Sequence, residues 1–181
     1  MNEEKVEFNP KAVLLARLTE NELCDLANFD CGDDEMNFFF REEAFAEQEI
    51  GMNTTILLYY KGELAAACSI CCDAITLSKK EKEEEAIPYA KVPAIKIARL
   101  GRNKKFEKLG LGKFLVGYVK QLAYDLLSEG VLGVRFLTVD AYPNKVGYYQ
   151  DSFGFIMNEP DKKIKEGRPV SMRLDILTPL K

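Results

Sequence analysis

The strongest constraint in this sequence is the order of four features: an apolar strand, a polar loop, a pair of glycines and an amphipathic helix. Val92–Leu100 has the composition of a strand, and residues 101–109 form the polar loop after it. Residues 111–127 then carry apolar side chains at helical spacing. These side chains are Leu111, Leu115, Tyr118, Val119, Leu122 and Leu126. This order predicts an α/β fold in which the helix packs on a sheet.

The glycine pair at the start of this helix is a candidate phosphate-binding turn. A helix N-terminus has free backbone N–H groups and a partial positive charge, which attract phosphate. Gly110 and Gly112 carry no Cβ, so a phosphate can approach the backbone, and Lys108 and Lys113 add charge on either side. The dinucleotide fingerprint needs a third glycine, and the P-loop needs Ser or Thr after its lysine. Phe114 follows Lys113 here, so these residues alone leave a plain strand-to-helix turn as an equal alternative.

The remaining pattern adds strands and helices on both sides of this segment. Strands are predicted at residues 11–18, 54–60, 64–77, 131–139, 153–157 and 170–177, and helices at 20–27, 34–48 and 144–151. Thr19 with Glu22 resembles a capping box for the first helix. The charged run Ser78–Glu85 is interpreted as a solvated loop. In the last strand apolar residues alternate with Arg173 and other polar residues, which predicts one buried face and one wet face.

Length, charge and the first residues limit the class of protein. The chain has 181 residues, 47% of them apolar, which predicts a single domain over residues 1–181. Its formal net charge is −4, with 25 Lys and Arg against 29 Asp and Glu, and this acidic balance argues against a nucleic-acid binder. The start, MNEEKVEF, has no apolar leader segment, and no apolar run approaches the roughly 18 residues of a membrane span. We therefore expect a soluble, cytoplasmic protein without a membrane partner.

Cysteine and histidine usage restricts the chemistry further. Five cysteines at irregular spacing form a poor disulfide framework, and Cys68 and Cys71 lie in an apolar, strand-like run. This one Cys-x-x-Cys pair falls short of the four ligands of a zinc site, so we expect no metal. The sequence contains no histidine, which excludes histidine general bases and the catalytic triads that use them.

Residues 95–155 resemble the core of the GNAT (Gcn5-related N-acetyltransferase) family. The family's coenzyme A motif is Arg or Gln, two residues, Gly, any residue, then Gly or Ala, and Glu107-Lys108-Leu109-Gly110-Leu111-Gly112 stands in its place. Glu107 departs from this pattern, and its side chain should point away from a pyrophosphate. The resemblance implies an α/β fold with a single mixed, mostly antiparallel sheet, splayed between strands 4 and 5 and flanked by helices on both faces. It also implies acetyl-CoA as co-substrate, bound by Leu100, Gly101, Arg102, Lys108, Leu109, Gly110, Leu111, Gly112, Lys113 and Asn144.

The resemblance continues into the segment that would carry the catalytic acid. Val139–Asn144 is followed by Tyr148 and Tyr149 and then by Phe153–Phe155, in the order of the family's fifth strand, next helix and Gly-Phe turn. By this resemblance Tyr149 protonates the departing thiolate after direct attack of the substrate amine. The spacing from Tyr149 to the glycine is one residue longer than the commonest form, which leaves Tyr148 as a competitor. Strand 4 offers no carboxylate, so a base acts through water or comes from elsewhere, with Asp140 as one option.

An N-terminal signature points to one branch of the same family. Phe29-Asp30-Cys31-Gly32, followed by Met36-Asn37, resembles a signature of GNAT proteins that include tRNA-acetylating toxins of toxin–antitoxin pairs. Three functions compete: an N-acetyltransferase for a small or protein-borne amine, a toxin that acetylates aminoacyl-tRNA, and a coenzyme A-binding sensor without turnover. The acidic charge favours the first, because docking on tRNA uses phosphate contacts from Lys and Arg. We therefore expect an amine acceptor as partner, with tRNA as the alternative and a homodimer as an option.

Overall fold

The structure, a computed structural model, describes residues 8–179. Residues 1–7, part of the segment in which we expected no leader, lie outside this range. The strands are β1 (Val13–Arg17), β2 (Thr54–Tyr60), β3 (Glu63–Thr76), β4 (Lys91–Arg102), β5 (Phe136–Ala141), β6 (Ile156–Met157) and β7 (Val170–Asp175). The α-helices are α1 (Leu23–Ala27), α2 (Asp34–Phe38), α3 (Ala44–Glu49), α4 (Lys79–Glu84), α5 (Leu111–Ser128) and α6 (Val146–Phe153). Short 3₁₀ turns lie at Pro10–Ala12, Glu20–Glu22, Lys104–Phe106 and Pro143–Lys145.

The strands form one mixed sheet in the order β1-β2-β3-β4-β5-β7-β6. β4 and β5 run parallel, and their ladder joins Ala94–Ile97 to Phe136–Val139. The other neighbouring strands are antiparallel. This confirms the predicted fold class, α/β with a mixed, mostly antiparallel sheet. β4 itself continues to Arg102, beyond the last pair of the ladder with β5.

The described residues divide into two compact units. Unit 1 comprises the residues up to Ile70 together with Arg99–Val116, and unit 2 comprises Cys71–Ala98 together with the residues from Gly117 onward. Strands β3 and β4 and helix α5 therefore each contribute residues to both units. The single domain over residues 1–181 stays a prediction.

Unit 1 contains the antiparallel strands β1 and β2, the first part of β3 and the helices that follow β1. The predicted hairpin is confirmed: Tyr60 pairs with Glu63 across Lys61 and Gly62, whose φ values are +52° and +84°. The Thr19–Glu22 capping box is also present. The core of this unit consists of Leu18, Leu26, Phe29, Phe39, Phe40, Ala44, Leu57, Leu64 and Ala67.

The helical segment after Asp33 contains a π turn in its middle. α2 and α3 are joined without a break by this turn, Phe39–Glu43. Asp33 caps the start of the segment, because its carboxylate accepts a backbone N–H of the first turn at 3.0 Å. The segment ends at Glu49, so the predicted helix is confirmed and the π turn is an addition to it. A π turn holds one residue more than an α turn, and both Phe39 and Phe40 are buried within it.

In unit 2 the charged run after β3 forms a helix, which corrects the predicted solvated loop. α4 begins with a capping box, in which Ser78 and Glu81 side chains accept each other's backbone N–H groups at 3.3 and 2.8 Å. Glu81 also accepts a hydrogen bond from Arg173 Nη2 on β7 at 2.7 Å. Arg173 is 4% exposed, so the prediction that this face of β7 is wet was wrong at Arg173. The capping box can be read from the sequence, whereas the partner on β7 is remote in the chain.

Arg173 belongs to a partly buried network of ion pairs in unit 2. Its guanidinium lies 2.7 Å from Glu81 and 3.6 Å from Glu85. Arg135 pairs with Asp175 and lies 3.8 Å from Glu85. Hydrogen bonds within the capping box, and then the bond from Arg173, lower the pKa of Glu81 to about 2. The network thus fastens α4 to the strands of unit 2 by charge.

β5 starts later in the chain than predicted. The N–H groups of Val131 and Leu132 both donate to the Leu126 carbonyl at 3.0 Å, and they close the C-terminus of α5. Apolar composition favoured a strand here, but these backbone groups are already used by the helix. Likewise α6 extends to a C-cap at Gly154, with φ of +82°, so the strand predicted before β7 is reduced to the two residues of β6.

Glu81→Gln should destabilise unit 2, because it removes the carboxylate that binds buried Arg173 and keeps the shape of the side chain. We expect a loss of about 1–2 kcal/mol in the free energy of unfolding at pH 7, measured by urea denaturation. The pKa of Glu81 is lowered on folding, so its contribution should be complete above pH ~4.5 and disappear toward pH ~2. Glu84→Gln removes an exposed ion pair with Lys80 and serves as the control, with an expected loss below about 0.5 kcal/mol. Equal losses in the two variants would contradict this account of α4.

Candidate functional site

The polar loop between β4 and α5 lies in unit 1 and is anchored on β3 by Asn103. The Asn103 N–H donates to the Ala65 carbonyl at 2.9 Å, and its side-chain amide donates to the Leu64 carbonyl at 3.4 Å. Its Oδ1 accepts the N–H of Lys105 at 3.1 Å and so caps the short 3₁₀ turn of the loop. Asn103 therefore fixes the first half of the loop to the neighbouring strand.

The second half of the loop contains two residues in the left-handed region. Lys108 has a φ of +66° and Gly110 a φ of +72°. For Lys108 this conformation costs roughly 1–2 kcal/mol, whereas glycine adopts it readily. A Cβ added at Gly110 would meet no atom within 4 Å, so backbone conformation rather than space requires the glycine. The 18-residue helix α5 begins directly after it and presents its first N–H groups there, as anion-binding loops do.

Acidic partners engage three of the cations in and beside this loop. The ion pairs are Lys104–Asp30 at 2.5 Å, Lys105–Glu63 at 2.9 Å and Arg102–Glu107 at 3.4 Å. The Glu107 carboxylate, which we expected to avoid a pyrophosphate, thus has Arg102 as its partner. Lys108 and Lys113 are exposed and form no ion pair within residues 8–179. They are the cations of the loop that remain for a phosphate group.

The N-terminal signature holds the loop in place through buried Asn37. Its Oδ1 accepts the N–H of Cys31 at 2.8 Å, and its Nδ2 donates to Asp30 Oδ1 at 3.1 Å. Asp30 Oδ1 also accepts the N–H of Gly32 at 2.9 Å, and the Lys104 N–H donates to the Asp30 carbonyl at 2.9 Å. The hydrogen bond from the Lys104 side chain is the largest influence that lowers the pKa of Asp30, to about 2. We call Asp30, Asn37 and Lys104 the loop clamp.

Gly101, near the end of β4, packs against the aromatic core of unit 1. A Cβ at this position would lie 2.9 Å from Phe40 Cε2 and 3.1 Å from Phe29 Cε1. These two rings meet edge to face with centroids 5.3 Å apart. The Arg99 guanidinium lies 5.0 Å from the centre of the Phe39 ring. Gly101 therefore has a packing role, which the sequence did not reveal, in addition to the predicted contact with the cofactor.

The two candidate acids, Tyr148 and Tyr149, lie on α6 in unit 2 and differ in exposure. Tyr149 is 8% exposed, and its ring centroid lies 6.0 Å from that of Phe153 and 5.4 Å from that of Phe155. Tyr148 is 42% exposed and packs edge to face on Tyr149 at 5.5 Å. Burial favours Tyr149 as a rigidly held group, and exposure favours Tyr148 as an accessible one.

Asp140, the option for a general base, is paired with Lys96 in unit 2. The Lys96 ammonium donates to Asp140 Oδ2. Burial opposes the charge of Lys96, but Asp140 outweighs it and the pKa of Lys96 is raised. The Asp140 carboxylate is therefore engaged by an ammonium in this structure. The sequence analysis missed the pair, although parallel pairing of Lys96 with Thr138 would have placed Asp140 on the same face.

All predicted cofactor residues except Asn144 fall in unit 1. Leu111 is fully buried, so its backbone alone can face a phosphate, while Leu100, Leu109 and Gly112 are half-buried. Asn144 is exposed in the 3₁₀ turn before α6. The N-cap of α6 is the next residue and makes no side-chain capping bond, so helix capping does not explain Asn144.

The part of the chain that the structure describes contains no group of three or more Cys, Asp or Glu residues that could hold a metal ion. None of the helices in residues 8–179 has the length and apolar composition needed to cross a bilayer.

Comparison with solved structures finds this fold in toxins. A tyrosine-to-phenylalanine mutant of KacT gives a TM-score of 0.73 at 18% identity, over 91% of this chain and 95% of that chain. AtaT complexed with acetyl-methionyl-tRNAfMet gives 0.73 at 18% identity, over 90% of this chain and 94% of that chain. AtaTR bound with AcCoA gives 0.67 at 18% identity, over 92% and 94%. The chain has the GNAT fold of these toxins.

The resemblance to the toxin-type branch of the GNAT family, inferred from the Phe29–Asn37 signature, is therefore confirmed at the level of fold. No protein-family profile matches the chain, and no curated protein matches it.

Gly101→Ala should destabilise unit 1, because the added Cβ falls 2.9 Å from a ring carbon and forces the aromatic core to shift. We expect a loss of about 1–3 kcal/mol in the free energy of unfolding, measured by urea denaturation. Gly133→Ala is the matched control, since that residue is exposed and its added Cβ meets no atom within 4 Å. The control should stay within about 0.5 kcal/mol of the unmodified protein. Unchanged stability of Gly101→Ala would show that β4 does not approach the rings as described.

Proposed function

We propose that this protein is an acetyl-CoA-dependent N-acetyltransferase whose acceptor is the α-amino group of an aminoacyl-tRNA. The observation that carries the proposal is the shared fold with AtaT complexed with acetyl-methionyl-tRNAfMet, over 90% of this chain and 94% of that chain. The signature Phe29–Asn37 adds support, because it resembles that of tRNA-acetylating toxins. Together these observations favour aminoacyl-tRNA as the acceptor over the small or protein-borne amine, which the acidic net charge of the chain had favoured.

The cofactor would bind with its pyrophosphate at the N-terminus of α5, on the backbone of Gly110–Gly112. The left-handed φ values of Lys108 and Gly110 support this assignment, because they shape the backbone directly before the free N–H groups of the helix. Exposed Lys108 and Lys113 lack acidic partners among the described residues and would add charge. Acetyl-CoA supplies the acetyl group as a thioester, and AtaTR bound with AcCoA has the same fold.

The protein would contribute positioning and one proton. The acceptor amine attacks the thioester carbonyl, and Tyr149 donates its proton to the departing thiolate. A tyrosine has a reference pKa of about 10, so it carries its proton at neutral pH. The neighbouring structures include tyrosine-to-phenylalanine mutants of KacT and AtaT, which is in keeping with an important tyrosine.

The absence of a base on β4 favours an acceptor with a low pKa. The segment Ala94–Leu100 carries no carboxylate, and Asp140 is engaged by Lys96. An α-amino group has a reference pKa of about 7.7–8.0, so a useful fraction is neutral at physiological pH, whereas a lysine side chain at about 10.4 is almost fully protonated. An α-amino acceptor therefore fits a β4 that carries no carboxylate.

A small or peptide-borne α-amine remains the second candidate acceptor. The observation that favours it is the engagement of Arg102, Lys104 and Lys105 in ion pairs, which leaves few cations near the loop for a tRNA backbone.

Tyr149→Phe should lower kcat by roughly 10²-fold and leave the affinity for acetyl-CoA within about twofold, because it removes the acidic proton and keeps the buried ring. Thiol release measures the rate, and calorimetry measures the affinity. Tyr148→Phe is the matched control and should retain most of the activity. A larger loss in Tyr148→Phe would move the acid to that residue.

The decisive experiment incubates the protein with radiolabelled acetyl-CoA and total charged tRNA, with uncharged tRNA and a panel of small amines and peptides in parallel. We expect label in the charged RNA fraction, removable by mild alkaline hydrolysis of the aminoacyl ester, and growth arrest on expression. Gly112→Asp should abolish transfer, since its side chain clashes with phosphate and repels it; Gly133→Asp makes the same change at an exposed site and should not.

Label on small amines or peptides alone would overturn the tRNA acceptor in favour of the second candidate. Acetyl-CoA binding without transfer to any acceptor would overturn the proposed enzymatic activity and favour a coenzyme A-binding sensor.

AtaT has been solved as a toxin bound to the C-terminus of the antitoxin AtaR, so we propose an antitoxin as a further partner here. Coexpression of the antitoxin proposed for this protein should relieve the growth arrest. Persistent growth arrest would count against the antitoxin as a partner.

A further inference from the structure

Unit 2 contains a cleft between the second part of α5 and the residues that follow β7. Its volume is about 310 Å³, near the lower end of the range for small-molecule sites. Gly117, Lys120, Gln121 and Tyr124 line it from the helix, and residues 176–179 line it from the other side. The predicted cofactor and acid residues are not among them.

Lys120 is the cation of this cleft, and it is 6% exposed. Its ammonium donates to the Thr178 carbonyl, and it forms no ion pair with a carboxylate of residues 8–179. Asp175 is the acidic group that stabilises its charge from a distance, but Asp175 Oδ1 already accepts hydrogen bonds from Arg135 and from the N–H of Leu177. Burial lowers the pKa of Lys120. An ammonium has three donors, and residues 8–179 give this poorly solvated one a single acceptor, the Thr178 carbonyl.

Gly117 is placed where a side chain would reduce the cleft. It stands inside the 18-residue helix α5, where glycine costs about 1 kcal/mol relative to alanine. It precedes Lys120 and Gln121 by one helical turn, so all three share the face that lines the cleft. A ligand bound beside Lys120 would explain why a helix-weakening glycine stands at this position, because any side chain there would take up space in the cleft.

The walls of the cleft select the chemistry of a ligand. Ile176, Leu177 and Pro179 are apolar, and Tyr124 is an exposed residue of the lining. One ammonium can neutralise one negative charge, whereas a phosphate dianion would need further cations that the lining does not contain. The lining therefore matches a single carboxylate attached to a hydrocarbon or aromatic body.

We propose that this cleft binds a small monocarboxylate with an apolar body. The carboxylate accepts hydrogen bonds from Lys120 Nζ and from the Tyr124 hydroxyl, and the body packs on Ile176, Leu177 and Pro179. Binding gives Lys120 a carboxylate partner, where residues 8–179 offer it one carbonyl, and it covers apolar surface at the same time. The site does not depend on the acetyl transfer proposed above.

The test is an NMR titration of the full chain with 3-phenylpropionate and with its neutral analogue 3-phenylpropanamide. We expect saturable shifts of the backbone amides of Gly117, Gln121 and Thr178 with the carboxylate, and an affinity at least about tenfold lower for the amide. The affinity for the carboxylate should fall as the pH rises through the lowered pKa of Lys120, because the ammonium is then lost. Equal affinities for the two probes, or no saturable shifts at millimolar concentrations, would overturn the proposal.

Variants separate the site from general charge effects. Lys120→Met keeps the length of the side chain and should erase the preference for the carboxylate, while Lys91→Met, an exposed lysine of unit 2, should not. Gly117→Leu should fill the cleft and abolish binding without touching a charge, which keeps the proposal testable if Lys120→Met fails to fold. A tripeptide with a C-terminal phenylalanine distinguishes a free acid from a protein C-terminus. Binding of the peptide alone would overturn the assignment to a small ligand.

Discussion

The group on which the polar loop between β4 and α5 depends most is the carboxylate of Asp30. One side chain accepts hydrogen bonds from buried Asn37 and from the N–H of Gly32, and it pairs with Lys104 of the loop. Its lowered pKa keeps it ionised far below neutral pH, so the clamp is a permanent charge and not a switch. The toxin-like signature is thus a scaffold for the loop, with no need for a direct part in the chemistry.

The distribution of charge separates structural from reactive groups. Most cations near the loop are consumed by ion pairs, and the one acidic candidate for a base is consumed by Lys96. Outside these pairs, the described residues offer the N-terminus of α5 and the exposed side chains of Lys108 and Lys113. Under the proposed function, these groups orient the cofactor and a tyrosine of α6 donates the proton. Rate acceleration would then come mainly from positioning and from polarisation of the thioester.

Local patterns predicted the elements that depend on neighbours in the chain. The capping box of Thr19 and Glu22, the hairpin at Lys61-Gly62 and the long helix α5 each follow from residues within a few positions of one another. The glycine loop is likewise local, with left-handed φ values at Lys108 and Gly110, and its binding of coenzyme A stays a prediction.

The correction at α4 and the missed ion pair of Asp140 involve partners that are remote in sequence, whereas the shorter β5 and β6 follow from helix ends close by in the chain. α4 was taken for a solvated loop because nothing nearby reveals that Arg173 is buried beneath it. The pairing of Lys96 with Asp140 needed the register of two parallel strands, which no local pattern supplies. The role of each site residue was likewise accessible only through resemblance, because the same glycine turn can bind phosphate or simply connect a strand to a helix.

The π turn at Phe39–Glu43 makes unit 1 sensitive to the number of residues in this segment. An additional residue in a turn rotates everything after it by about 100° about the helix axis. Gln48 follows the π turn and joins β1 to β2, since its amide donates to the Leu18 carbonyl at 2.8 Å and accepts the Thr55 N–H at 3.0 Å. Gln48 can make both hydrogen bonds only when the helix after the π turn presents it toward Leu18 and Thr55. A related protein with one residue fewer here would need other contacts in place of the Gln48 bridge between β1 and β2. A one-residue gap in this segment would therefore mark a branch point among relatives.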